Sequence, residues 1–100
     1  MIVAYITCKN AAEAKRIGKF MINKKLVACA NYFPINPVYK WGGKLVEDKE
    51  VVLLLKSVDK NFNKIKKEVK KLHSYEVPCI LKIDVEANRE YVDWVKKSTR

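Results

Sequence analysis

Residues 41–44 read Trp-Gly-Gly-Lys and separate two long segments rich in apolar residues, Leu26 to Trp41 and Lys44 to Lys56. Two adjacent glycines between such segments are typical of a tight hairpin turn. The first segment contains Pro34 and Pro37, each of which lacks a backbone donor. That strand should therefore be bulged or lie partly at a sheet edge. Together the two segments predict a long antiparallel hairpin.

Strand and helix patterns continue on both sides of this hairpin. A continuous apolar run from Ile2 to Ile6 predicts a strand that is covered on both faces. An apolar stripe of helical period predicts a helix from Ala11 to Lys25, with Asn10 as its cap. The run Val51–Leu55 of the returning strand should be buried on both faces, and a second stripe predicts a helix from Asp59 to Leu72.

The remaining segments complete a split β-α-β order. Cys79 to Val85 predicts a fourth strand, and Asn88 to Ser98 predicts a short C-terminal helix. The order strand, helix, strand, strand, helix, strand is that of an α+β, ferredoxin-like sandwich, in which one antiparallel sheet carries two helices on one face. Without a linker or repeat, we expect residues 1–100 to form a single domain.

Composition restricts the compartment and the class of protein. No uninterrupted apolar stretch, Met1–Ile6 and Val51–Leu55 included, approaches the length of a membrane span, and the start at Met1 lacks the basic flank of a signal peptide. We therefore expect a cytoplasmic protein with no membrane association. The three cysteines form no Cys-x-x-Cys pair, which argues against a disulfide framework and against a structural zinc site.

The net charge of +10 suggests an anionic partner, and the second predicted helix carries the clearest basic feature. Lysines recur there at helical spacing: Lys60, Lys64, Lys67 and Lys71. Such a face can bind phosphates, but no aromatic residues interleave for base stacking and no nucleic-acid motif is present. We favour a solvated helix face and expect no nucleic-acid partner.

Residues 73–80, His-Ser-Tyr-Glu-Val-Pro-Cys-Ile, hold the only histidine of the chain. His73 and Cys79 are candidate metal ligands, because a neutral imidazole and a thiol could supply two donors around one loop. The alternative is a helix-terminal histidine that interacts with the last backbone carbonyls. We favour the alternative unless other subunits contribute ligands, because a closed metal site requires about four.

Catalysis would have to rest on the same pair, His73 and Cys79. A base of this kind needs a third group to orient it, and the sequence offers none. No glycine-rich phosphate loop and no His-Glu-x-x-His pattern are present. We therefore predict that the protein is not an enzyme.

Tyr39 and Trp41 flank the tip of the predicted hairpin. In a lone subunit of this size, a projecting hairpin would leave both aromatic side chains in water. Exposed aromatic residues that cluster in this way mark interfaces. We predict that Tyr39 and Trp41 pack on a neighbouring subunit.

Several separated motifs together resemble the CutA divalent-cation-tolerance family. They are Ala28-Cys29-Ala30-Asn31, Tyr39-Lys40-Trp41-Gly42-Gly43-Lys44, Glu50, Lys56 and His73-Ser74-Tyr75-Glu76-Val77-Pro78. The resemblance covers nearly the whole chain in order. It implies a ferredoxin-like subunit that assembles into a homotrimer similar to the PII signalling proteins, a role in tolerance to copper and other divalent ions, and copper binding near His73.

The chain departs from the family's usual motif at two positions. Ser74 stands where proline is common, and Cys79 stands where many members carry glutamate. The second difference affects the metal, because a cysteine thiolate favours copper(I) or zinc whereas imidazole with carboxylate suits copper(II). The metal preference of the family therefore does not transfer directly to this sequence.

The resemblance leaves two hypotheses about function. The first is a trimeric divalent-cation tolerance protein that requires no cofactor and binds copper or another divalent metal weakly near His73. The second is a PII-like trimeric module whose clefts between subunits hold a small anionic ligand, favoured by the net positive charge, or which binds a protein partner.

Overall fold

The computed structural model describes every residue from Met1 to Arg100 and confirms the predicted α+β order. The elements are β1 (Ile2–Cys8), α1 (Ala11–Asn23), β2 (Cys29–Ile35), β3 (Val38–Trp41), β4 (Lys44–Glu47), β5 (Glu50–Ser57), α2 (Phe62–Leu72), β6 (Ile80–Asp84) and α3 (Arg89–Ser98). A short 3-10 helix, Asp59–Asn61, precedes α2. None of the α-helices has the length and apolar character that crossing a membrane requires.

A four-stranded sheet forms one layer of the sandwich. Its strand order is β2-β5-β1-β6, and every neighbouring pair is antiparallel. Burial alternates along β1: Ile2, Ala4, Ile6 and Cys8 are buried, and the residues between them are half-buried. The core lies between this buried face and the helices α1 and α2, where Ile17, Met21, Ile65 and Val69 are fully buried. The alternation follows from the two-residue period of a strand.

The opposite face of the sheet is only partly covered. Helix α3 contacts β5 on this side, and its Val95 is fully buried. Beyond α3, the exposed fractions of Leu81, Ile83 and Phe33 are 51%, 44% and 41%. Large apolar side chains that share one exposed face are typical of a surface that another chain covers.

The predicted long hairpin is two shorter ladders rather than one. Pro37 has no N–H to donate, and the first strand is interrupted between Ile35 and Val38. The returning strand breaks at Asp48 and Lys49, where the Asp48 side chain accepts a hydrogen bond from the Lys49 N–H at 2.7 Å. The first strand was predicted to be bulged or to lie partly at an edge, and β2 is an edge strand of the sheet. The predicted hairpin is divided by these two breaks, and both ladders are antiparallel as expected.

The outer ladder, β3 and β4, forms a projecting hairpin arm. Gly42 and Gly43 have φ angles of +60° and +78°, which confirms the tight turn predicted there. Every residue of β3 and β4 except Val46 is exposed. No helix or second sheet of the same subunit packs on the two strands of the arm.

Helix α1 begins where the sequence predicts and ends slightly earlier. The side chain of Asn10 accepts a hydrogen bond from the Glu13 N–H at 2.9 Å, which confirms the predicted cap. The helix stops at Asn23, and Lys25 adopts a positive φ of 58° that terminates the helical path. The lysine stripe predicted for the second helix is exposed along its length.

Candidate metal centre and neighbouring cleft

His73 follows the last residue of α2, and its side chain is fully buried. The ring Nδ1 accepts a hydrogen bond from the Tyr75 N–H at 3.0 Å. The ring Nε2 therefore carries the proton and donates it to the carbonyl oxygen of Thr7 at 2.8 Å. The expectation that His73 interacts with the last carbonyls of its own helix is wrong, because the extended backbone at His73 directs the ring to the end of β1.

Glu13 is buried beside this histidine and connects three segments of the chain. One carboxylate oxygen accepts a hydrogen bond from the Lys9 N–H at 2.9 Å, and the other accepts from the Ser74 N–H at 3.1 Å. Its oxygens also lie 3.8 Å from the Arg16 guanidinium and 3.8 Å from His73 Nε2. The carboxylate thus joins the start of α1 to the loop after α2.

The environment keeps Glu13 ionised. Burial alone would raise the pKa of this carboxyl, but the hydrogen bonds from Lys9 and Ser74, together with the nearby His73, hold the pKa below its ordinary value of 4.5. Glu13 was not among the residues predicted from the sequence. The available signal was the Asn10-x-x-Glu13 spacing, a variant of the capping box in which the glutamate bonds the N–H of the residue before the cap.

Cys8 completes a group of three metal-ligating side chains. Its Sγ, a carboxylate oxygen of Glu13 and a ring nitrogen of His73 all lie within 4.8 Å of one another, and we call this group the buried cluster. Burial, followed by the carboxylates of Glu13 and Glu50, raises the pKa of the Cys8 thiol to about 12. The thiol is therefore protonated at neutral pH. Thiol, imidazole and carboxylate together suit copper or zinc better than magnesium or calcium.

An open cleft of about 510 Å³ lies next to the buried cluster. Thr7 and Ser74, whose backbones are hydrogen-bonded to His73 and Glu13 of the cluster, also line this cleft. Three aromatic side chains line it, Tyr39, Trp41 and Tyr75, and its ionisable groups include Glu50, Glu76 and Cys79. No lysine or arginine lines the cleft. In a chain of net charge +10, this concave surface is locally acidic.

Glu50 is the buried acid of the cleft. Its Oε2 accepts a hydrogen bond from the Tyr75 hydroxyl at 2.6 Å, the only hydrogen bond to this carboxylate. Burial and the adjacent Glu50 raise the pKa of the Tyr75 hydroxyl, and burial followed by Glu50 also raises the pKa of the Cys79 thiol. Both groups are therefore neutral at neutral pH, and Glu50 retains unused acceptor capacity.

The residues predicted from the sequence fall into two places. His73 lies in the buried cluster with Cys8 and Glu13, whereas Cys79, Tyr39 and Trp41 line the cleft. Sequence reasoning missed Cys8 and Glu13 because their approach to His73 depends on how β1, α1 and α2 meet. A shared metal site of His73 and Cys79 stays a prediction.

Comparison with known proteins gives one consistent answer. The family model described as CutA1 divalent ion tolerance protein matches residues 2–98. The divalent-cation tolerance protein CutA of Thermus thermophilus is 40% identical over 99 residues, which cover 97% of this chain and 96% of that protein.

Two solved structures extend the similarity to the fold. The periplasmic divalent cation tolerance protein CutA of Archaeoglobus fulgidus has a TM-score of 0.94 at 38% identity and covers 98% of both chains. The PII-like protein CutA of Nostoc sp. PCC 7120 has a TM-score of 0.92 at 30% identity and covers 100% of this chain and 98% of its own.

Proposed function

This chain belongs to the CutA1 divalent ion tolerance family, and from that premise we propose that it binds a divalent metal ion weakly at the buried cluster. The observation that carries the proposal is the approach of the Cys8, Glu13 and His73 ligand atoms to within 4.8 Å of one another. The donor set favours copper or zinc. The bound metal would be held by thiolate, carboxylate and imidazole.

The expected affinity is weak because every ligand atom of the cluster already has a partner. Cys8 holds its proton, Glu13 accepts two backbone hydrogen bonds, and both nitrogens of His73 are hydrogen-bonded. A metal must displace at least some of these partners and release the thiol proton. Affinity should consequently rise with pH.

We also propose Cys79 as a further metal ligand. It carries the second thiol of this region and lines the same cleft as Glu50, whose carboxylate has acceptor capacity to spare. The cleft of one subunit has no histidine in its lining. A complete metal site there would therefore need ligands from another copy of the chain.

Zinc titration calorimetry of metal-free protein tests the cluster, since copper(II) also oxidises thiols. We expect binding that weakens at least about tenfold in Cys8→Ser and His73→Ala. The matched control is Cys29→Ser, which removes a thiol outside both sites. Equal affinity in all variants would overturn the cluster site, whereas selective loss in Cys79→Ser would move the site to the cleft.

We further propose a homotrimer in which Tyr39 and Trp41 of the hairpin arm pack on a neighbouring subunit. The support is the 62% exposure of Trp41 and the apolar open face of the sheet, which a single chain leaves in water. Trp41→Ala should dissociate at a higher protein concentration than the parent, as measured by analytical ultracentrifugation. A trimer equally stable in both proteins would contradict this role.

We propose that this protein acts by binding and not by catalysis. We also propose that it is located in the cytoplasm. The relative from Archaeoglobus fulgidus is named a periplasmic protein, so the test is to distinguish these two compartments. Fractionation of native cells with an antibody to the chain decides it. Recovery in a periplasmic fraction would refute the cytoplasmic assignment.

A second candidate function is a PII-like module that binds a small molecule or a protein. The likeness to the PII-like Nostoc protein and the open cleft favour it. An anionic ligand in this cleft would need cations from a neighbouring subunit, because the lining of one subunit is acidic. Thermal stabilisation by a nucleotide or another anion, but not by copper or zinc, would support this function over the first.

A further inference from the structure

A second concave region, which we call the basic cavity, lies on the helix side of the fold. It has a volume of about 300 Å³ and is lined by Lys24, Lys64, Lys67, Arg100, Glu68 and Leu26. Four cationic side chains thus surround it with one side-chain carboxylate. They come from three places in the chain: the end of α1, the middle of α2 and the residues after α3.

The cations of the basic cavity are not neutralised within the chain. None of the four forms an ion pair with a carboxylate, since the ion pairs of the chain involve Arg16, Lys71 and Lys82 instead. Glu68, the one acid of the lining, has its Oε1 3.7 Å from Lys71. Like charges held around one concavity repel each other, and an anion placed between them would remove that repulsion.

Backbone contacts fix the walls of this cavity. The Arg100 N–H donates to the Lys25 carbonyl at 3.0 Å, which holds the chain after α3 against the end of α1. The Leu26 carbonyl accepts from the Asn61 side chain at 3.1 Å, which links the same segment to the start of α2. The lysine stripe therefore contributes two members to a site with walls from other elements, and not only to an open helix face.

We propose that the basic cavity binds an inorganic polyphosphate anion of the pyrophosphate or tripolyphosphate class. Ammonium and guanidinium groups donate charge-assisted hydrogen bonds to phosphate oxygens. The volume lies at the small end of the roughly 300–1,000 Å³ typical of ligand pockets. No aromatic side chain lines the cavity, so it offers nothing on which a nucleotide base could stack. The basic cavity shares no lining residue with the buried cluster.

Calorimetric titration with sodium tripolyphosphate at low ionic strength tests this proposal. The test variant is Lys64→Glu/Lys67→Glu. The matched control is Lys15→Glu/Lys19→Glu, which changes two exposed lysines of α1 that lie outside the cavity and form no ion pair. Each double variant lowers the net charge by four, from +10 to +6. Equal melting temperatures and assembly masses establish that both variants fold.

We expect saturable binding of one anion per chain, weakened about tenfold or more by the cavity variant and less than about threefold by the control. Affinity should fall as salt is added. Absence of saturable binding would overturn the proposal. Equal losses in both variants would also overturn it, because they would show a diffuse effect of net charge. Lys64→Gln/Lys67→Gln repeats the comparison without adding negative charge, and unchanged affinity in that variant would count against the site.

Discussion

Two neighbouring places in this molecule could hold a cation, and each has what the other lacks. The buried cluster brings a thiol, a carboxylate and an imidazole within 4.8 Å, but its ligand atoms already have partners. The cleft contains Glu50, a buried carboxylate with a single hydrogen-bond donor, but one subunit supplies no converging set of ligands around it.

The two buried glutamates make the difference concrete. Glu13 and Glu50 have nearly equal exposed fractions, 7% and 8%. Glu13 accepts two backbone hydrogen bonds and lies near two basic side chains, whereas Glu50 accepts only from the Tyr75 hydroxyl. Burial therefore does not by itself show how much acceptor capacity a carboxylate has left. The number of hydrogen bonds that it already accepts does.

The largest expected effect compares these two residues directly. Glu13→Gln should lower the free energy of unfolding by about 3 kcal/mol, because the amide group turns a donor toward backbone donors and removes the buried charge. Glu50→Gln should cost less than about 1 kcal/mol, since the amide oxygen can still accept from Tyr75. Guanidinium unfolding at one fixed protein concentration measures both. Equal losses of unfolding free energy in the two variants would contradict the proposed difference between Glu13 and Glu50.

A smaller effect is expected from pH. The pKa of Glu13 is lower in the folded chain than its ordinary value of 4.5, so its ionisation stabilises the fold above that value. This contribution is lost as the pH falls through the depressed folded pKa. The stability gap between the parent and Glu13→Gln should therefore be largest near neutral pH and narrow below about pH 4.5. A gap that stays constant down to pH 3 would show that the effect is not ionic.

Tyr75→Phe should have a modest effect of about 1 kcal/mol, because it removes one hydrogen bond and leaves Glu50 without a donor. The cleft is open, so water can replace the lost hydroxyl. Thermal unfolding of the variant against the parent checks the value. A loss as large as that of Glu13→Gln would mean that the cleft is as tightly integrated as the buried cluster.

The smallest effect is expected from chemical modification of the unchanged protein, which measures how accessible the Cys8 and Cys79 thiols are. Cys8 is completely buried and Cys79 is half-buried at the cleft, although burial raises the pKa of both. A maleimide reagent should therefore modify Cys79 at least about tenfold faster than Cys8, as followed by peptide mass spectrometry. Similar rates would show either that the cluster opens readily or that assembly covers the cleft.

The element order was predictable because it rests on local patterns. The Gly42-Gly43 turn, the Asn10 cap and the apolar stripes of α1 and α2 each follow from residues close in sequence, and the structure confirms them. Pro34 and Pro37 predicted a strand that is bulged or partly at an edge. The strand β2 does lie at the sheet edge, but the chain leaves the strand between Ile35 and Val38.

The candidate site was only half predictable. His73 stood out as the single histidine, but its partners come from the end of β1 and from α1, which no local pattern connects to it. Glu13 looks from the sequence like an ordinary residue in the first helical turn. Only the assembled fold shows that its second oxygen is bonded to Ser74.

The Glu13 and His73 network has a consequence for the time course of folding. Its hydrogen bonds join residues that are far apart in the chain: Glu13 to Ser74 across 61 positions, His73 to Thr7 across 66, and Arg16 to Leu72 across 56. Contacts of such long range form only after large loops have closed. We expect this network to form after the folding transition state, so that it leaves the folding rate largely unchanged and slows unfolding. These few polar contacts are then expected to lengthen the lifetime of the folded chain.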